Sequence, residues 1–315
     1  MPVARDDYCI RLVRFPEKAG FPLQFRTTMN KTDVVIDLPG VSETAFKAVG
    51  ELMDKGLSRK SVKNRDAIKD AFLVALKTCP RANPSDLWHH VVYRQYLDIL
   101  PLHRSQSPDQ SWKRASGNAL EVALEEIYEA ILAENNIRIQ VLIGKPKKIA
   151  ALKAMCIDEV VGSDKLDIAL YIDDTDELFG GVHVKSSLAE RISDDVPCSR
   201  EMMKNGFFSP MWTLDVKSFP PPHPDPLVNR GELGSLEAPS EKRKYVEIHG
   251  SFDHLFSANT RSVPSAATTP SGKRVIRLDL ANQPDFFAKE VIARATMFKE
   301  RGRAASPPPE LDQPG

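Results

Sequence analysis

Two short segments on either side of an acidic turn constrain this chain more than anything else in it. Leu166 to Ile172 reads LDIALYI, and Gly181 to Ser186 reads GVHVKS. Both are rich in apolar or β-branched residues and bounded by Gly, Asp and Ser, which predicts two neighbouring strands. The first carries Asp167 near its start and the second carries Lys185 near its end. Side by side, such strands bring the carboxylate and the ammonium to one edge of a sheet. An acid and a lysine placed that way can hold a divalent metal and orient a water, which phosphodiester hydrolysis requires.

The residues that follow extend the pattern. A strand Asp, a hairpin and a strand ending in Lys resembles the PD-(D/E)xK nucleases. There the second acid lies two residues before the Lys, and here that position is His183. Downstream of Lys185 come Ser186, Ser187, Arg191, Asp194, Asp195, Arg200 and Glu201. This run resembles the type II restriction endonucleases that cut CCGG-containing sites, the NgoMIV and BsaWI kind. In those enzymes the second acid moves to a helix after the Lys. The same helix carries an Arg-Ser-Asp-Arg type motif that reads the CCGG core. The phrase TLDVKSFPPP and the later LVNRGELG add to the likeness, which covers roughly residues 110 to 260.

The resemblance implies a catalytic set of Asp167, Lys185 and Glu201 with Glu121. Asp167 and the displaced acid Glu201 would bind Mg²⁺. It makes Arg191 the leading base reader, with Asp194, Asp195 and Arg200 in the same DNA-contacting cluster. Here RISDD stands where RSDR would, and Pro197 interrupts the segment. Glu190, Asp194, Asp195 and Glu201 all compete for the acid role. Glu190 adjoins Arg191, and Asp195 precedes Val196-Pro197, an arrangement that predicts a helix start with Asp195 as its cap. That places Glu201 in the first turn and favours it.

Composition sets the outer bounds. With 315 residues, one large or two modest domains are expected. Lys plus Arg and Asp plus Glu both number 43, so net charge gives no support for a nucleic-acid partner. It excludes none, because positive charge can be confined to a cleft. The four cysteines are widely spaced with no CxxC pair, which argues against structural zinc and for free thiols in a reducing cytoplasm. No apolar run suits a signal peptide or a membrane span, so a cytoplasmic, prokaryotic protein is expected.

Along the chain, residues 1 to 108 predict a mainly helical region with one or two short strands. It is open whether this region serves specificity, dimerisation or bracing. Its helices follow Ser42, run from Asp66 to Lys77, and run from Pro84 to before Pro101. His89 and His90 read as ordinary helix-surface or interface residues. Residues 109 to 302 predict the catalytic domain, an α/β restriction-endonuclease-like core with a mixed sheet flanked by helices. It opens with the clearest helix of the chain, on which Gly117 and Glu121 lie four apart. The glycine would let another backbone approach, and Glu121 matches the position of an acid reaching the metal site in the resembling nucleases. Glu125, Glu126 and Glu129 read as a solvated face. Strands are predicted at 137–144, 211–219, 244–250 and 274–280, and 303–315 as a disordered tail.

Other chemistry lacks its signature. There is no P-loop, no GxGxxG after a strand and no GxSxG elbow. Asp215 and Lys217 spell a competing acid-x-Lys, without a following Arg and acid cluster. The acidic turn at 173–177 lacks the Gly and terminal Glu of a calcium loop. The reading is a homodimeric, Mg²⁺-dependent type II restriction endonuclease acting on double-stranded DNA beside a cognate DNA methyltransferase. The alternatives are a DNA-binding protein on a nuclease fold without a metal site, and a structural α/β protein in which Asp167 and Lys185 form a salt bridge.

Overall fold

The computed structural model describes residues 11–12, 23–29, 32–158, 165–189, 192–216 and 231–305. A three-stranded antiparallel sheet comes first: β1 (Arg11–Leu12), β2 (Leu23–Met29) and β3 (Thr32–Leu38). The helical part follows with α1 (Glu43–Ser58), α2 (Asn64–Thr78) and α3 (Pro84–Asp86). A π-helical turn (Leu87–Val92) leads on into α4 (Tyr93–His103). Ser42 caps α1 by accepting from the Ala45 amide at 3.1 Å, as its sequence predicts. The helix expected to stop before Pro101 runs through it to His103. His90 is buried rather than surface-lying.

The second part is built on α5 (Pro108–Ala133), β4 (Ile137–Val141), α6 (Lys145–Ala154), β5 (Ile168–Ile172) and β6 (Glu177–Lys185). Then come α7 (Ile192–Lys204), β7 (Met211–Thr213), α8 (Glu241–Glu247), β8 (Leu255–Ser257), β9 (Val275–Arg277) and α9 (Phe286–Ala305). Its six strands lie in the order β4-β5-β6-β7-β8-β9. The first three pair antiparallel and the rest parallel, so the sheet is mixed. The segment KYVEIHG is not a strand: its first four residues end α8, and the chain then turns. Ser240 caps that helix by accepting from the Arg243 amide, and Arg243 pairs with Glu247 one turn on. The strand it was expected to supply is β8 instead.

Apolar burial explains the layering. One core runs from Val49, Met53, Ile68 and Phe72 of the helices through Leu120 and Leu124 of α5 to Ile139, Leu170, Val184 and Trp212 of the sheet. The helical region therefore shares its core with the sheet. The other side is covered by α6 and α7, with Leu152, Met202 and Cys198 packed around Ala169. Val196 and Ile192 of α7 meet Val246 of α8 over Met211 and Leu255. Strand β6 passes close to the chain before β7: a Cβ at Gly180 would stand 2.6 Å from the Phe208 carbonyl oxygen. No such need exists at Gly117, where a Cβ would meet nothing within 4 Å, so the expected close backbone approach to α5 is absent.

Candidate active site

The β5–β6 pairing decides where the chemistry can be. Ile168 pairs with Val182, which sets Asp167 across from His183. Asp167 is almost fully buried. Its Oδ2 accepts from the Val184 amide at 2.8 Å and from Lys185 Nζ at 3.1 Å. Its Oδ1 accepts from Lys148 Nζ of α6, also at 3.1 Å. The adjacent strands thus hold the acid by backbone and aim it at two ammonium groups.

Side chains two apart on a strand share a face, so His183 and Lys185 both project toward α7. Asp195 of α7 meets them there, with Oδ2 2.9 Å from Lys185 Nζ and 3.9 Å from His183 Nδ1. Asp195 is 1% exposed. Its Oδ2 is shielded from solvent and receives no aligned hydrogen bond. Lys185 therefore bridges two buried carboxylates. Burial alone would lower its ammonium, but Asp167 and Asp195 outweigh that and hold it well above its usual value. Burial would likewise raise Asp167; Lys185, Lys148 and the Val184 amide outweigh it and hold the carboxylate below its usual value. Glu121, on α5, is buried as well. Burial first, then the charge of Asp167, pushes its carboxyl up to about 7.

His183 stands where the ordinary motif has an acid, and it serves the core. A carbonyl can only accept, so Nδ1 donates to Lys165 O at 2.9 Å and Nε2 accepts from the Ser209 hydroxyl at 3.1 Å. Ser199 of α7 lies 2.7 Å from Ser209 in turn. This chain fastens α7 to β6, and Asp195 is one turn before Ser199. Burial, the largest influence, lowers the imidazole and keeps it neutral.

The structure brings together Asp167, Lys185, Asp195 and Glu121. It does not bring Glu201 to them. Helix α7 begins at Ile192, a turn earlier than Pro197 suggests, so Asp195, Ser199 and Met202 form its buried face. Glu201 points outward and pairs with Lys204 at 3.2 Å. Asp194 is exposed, 3.9 Å from Lys165. Arg200 is exposed and donates to the Ser251 hydroxyl at 3.1 Å. Arg191, Glu190 and Lys217 lie outside the described residues. Asp215 belongs to a separate buried network, accepting from the Ser262 hydroxyl at 2.5 Å and the Glu232 amide at 2.7 Å. Glu125 accepts from the Val141 amide at 2.9 Å instead of facing only solvent. Lys148 was not foreseen. Its one sequence signal is the basic run at the start of α6, 19 residues before Asp167 in the chain.

Comparison with known proteins fixes the family. No family model matches the chain. The type II restriction enzyme AgeI of Thalassovita gelatinovora is 45% identical over 265 residues, spanning 82% of this chain and 94% of that enzyme. The chain belongs to the type II restriction endonucleases. A crystal structure of a specific AgeI–DNA complex superposes with a TM-score of 0.79 at 43% identity, over 86% of this chain and 99% of that one. A pre-specific BsaWI–DNA complex aligns with a TM-score of 0.43 at 19% identity, over 82% and 95% of the two chains.

Restriction endonucleases generally use a divalent metal, and the residues present suit one. Asp167, Asp195 and Glu121 offer hard carboxylate oxygens, the donors that Mg²⁺, Mn²⁺ and Ca²⁺ prefer. The buried Oδ2 of Asp195 already faces a positive charge, the Lys185 ammonium at 2.9 Å, which is the kind of partner a cation would also be. Among the described residues no three His, Cys, Asp or Glu side chains already stand close enough to enclose an ion. Two of the carboxylates are instead held by lysines. No helix among the described residues is long and apolar enough to cross a membrane.

Proposed function

We propose that this restriction endonuclease is Mg²⁺-dependent, acts as a homodimer, and cuts double-stranded DNA at a palindromic site containing CCGG. The observation that carries the reading is the Lys185 ammonium set between the buried carboxylates of Asp167 and Asp195. In this reading Asp195, rather than Glu201, is the displaced acid. Asp167 and Asp195 would hold the metal, with Glu121 as a further carboxylate donor. A bound divalent metal supplies a more acidic water and offsets phosphoryl charge.

The chain's own residues have defined tasks. Lys185 stays charged near neutral pH, so it is not a general base. It donates to the attacking water and to the oxygens of the phosphorane, where negative charge builds up. The Val184 amide fixes the rotation of Asp167, and the Ser199–Ser209–His183 chain fixes the depth of Asp195. The attacking oxygen bonds to phosphorus as the bond to the 3′ oxygen breaks, leaving a 5′-phosphate and a 3′-hydroxyl. Arg191 is the guanine reader in this proposal, since an Arg fork matches the O6 and N7 edge of that base. Two copies of the chain match the two strands of a palindrome by two-fold symmetry. A cytoplasmic protein with this activity needs a cognate methyltransferase to protect the host's own sites.

An acid at Asp195 favours this enzyme over a binding-only protein, a reading that rested on His183 breaking the strand motif. Sequencing the ends of fragments from digested phage DNA tests the proposal. Every end should fall in one palindrome containing CCGG and carry a 5′-phosphate. Ends scattered over unrelated sequences would refute it.

A further inference from the structure

A carboxylate offers about four lone-pair directions, and Asp167 uses them unevenly. Its Oδ2 is filled by the Val184 amide and Lys185 Nζ, at 2.8 and 3.1 Å. An incoming cation must therefore bind through Oδ1, and there the Lys148 ammonium stands at 3.1 Å. Asp167 and Asp195 carry two negative charges, and Lys148 and Lys185 carry two positive ones. Adding a divalent cation to all four leaves an excess of two positive charges. One excess charge remains even with Glu121 ionised. In so buried a place that excess is strongly unfavourable. Lys185 shares Oδ2 with the Val184 amide and also holds Asp195, whereas Lys148 stands at Oδ1, the oxygen that a cation must use. Lys148 is therefore the ammonium in the cation's place, and its flexible four-carbon stem lets it yield.

We propose that Lys148 is a placeholder for the metal: it occupies Asp167 Oδ1 in the DNA-free protein and leaves for a DNA phosphate when substrate and metal bind. This rests on the reading of Asp167 as a metal ligand. It makes metal binding weak without DNA and strong with it, so the two ligands bind cooperatively. Lys148 is then a positioning residue whose contribution is read in metal affinity.

The test uses Mn²⁺ as the probe, titrated into the DNA-free full chain and followed by the loss of the free-Mn²⁺ electron spin resonance signal. Lys148→Met keeps the stem and removes the charge. It should bind Mn²⁺ about tenfold more tightly or better, an effect of about 1.4 kcal/mol. Lys148→Arg should stay as weak as wild type, and Asp167→Ala should bind weakest. With a CCGG-containing duplex that resists hydrolysis, the gap between wild type and Lys148→Met should shrink. If Lys148→Met melts early, Lys148→Gln replaces it in the same comparison. A neutral variant that binds no more tightly overturns the placeholder role, and a gap that DNA leaves unchanged overturns the transfer to phosphate. An Asp167→Ala variant that binds like wild type overturns the metal-ligand reading itself, so the two failures are distinguishable.

Discussion

Replacing Glu121 by Gln should make the metal-free protein more stable at alkaline pH. Burial, and then the charge of Asp167, lifts the Glu121 carboxyl from an ordinary 4.5 to about 7. The folded chain therefore holds a proton that the unfolded chain gives up. Below the unfolded value both states are protonated, and the glutamic acid carries no penalty. As pH rises through the window from 4.5 to about 7, stability is lost in wild type and not in the variant. At about 1.4 kcal/mol for each pKa unit, the full loss comes to about 3 kcal/mol above that window. Urea denaturation in EDTA, without DNA, at pH 4.5, 6 and 8 reads it directly, since the midpoint shift times the slope gives the difference. Glu121→Gln should match wild type at the lowest pH and exceed it by about 3 kcal/mol at the highest. A variant that is less stable at pH 8, or differs by a constant amount at every pH, would refute the account of Glu121 as a proton-holding acid beside Asp167.

Other outcomes follow from the same geometry. Asp167→Asn and Lys185→Met should each slow cleavage by about 10² to 10⁴-fold, a size typical of lost positioned catalytic groups. Both should still retard the cognate duplex in Ca²⁺ on a gel. Arg191→Ala should lose about 1–3 kcal/mol of discrimination between cognate and non-cognate duplexes. Its salt-sensitive non-specific binding should persist. His183→Glu, which restores the ordinary strand motif on paper, should instead destabilise the fold. The Lys165 carbonyl and the Ser209 hydroxyl lose their partner, at about 1–3 kcal/mol each, and a drop in melting temperature would show it.

The strand half of the site was legible because alternation and turn residues act locally. LDIALYI and GVHVKS predicted β5 and β6, and register then joined Asp167 to Lys185. Glu121 was legible as one position on a clear helix, though its burial depends on how α5 packs on β4 and β6. The helical half was harder to read. Pro197 looks like a helix start, but α7 begins at Ile192 and carries the proline inside it. That shift turns Asp195 from a cap into a buried residue and sends Glu201 outward. The placement is set by the Ser199–Ser209–His183 contacts, which join β6, α7 and the turn before β7 and leave no local signal. Lys148 needed the topology too, since only the packing of α6 on the face of the sheet brings it to Asp167. The segment KYVEIHG was misread because Tyr, Val and Ile suggest a strand, while its Ser240 cap and Arg243–Glu247 pair favour a helix.

The central claim is that Asp195, reached through Lys185, is the acid that completes the metal site with Asp167. Its most direct test is the rate of Mg²⁺-dependent cleavage of one end-labelled CCGG-containing duplex by Asp195→Asn and Glu201→Gln, with thermal melts to confirm folding. The account predicts that folded Asp195→Asn binds the duplex and leaves it uncut, while Glu201→Gln cuts near the wild-type rate. Cleavage by Asp195→Asn at that rate, with Glu201→Gln folded and inactive, would contradict it.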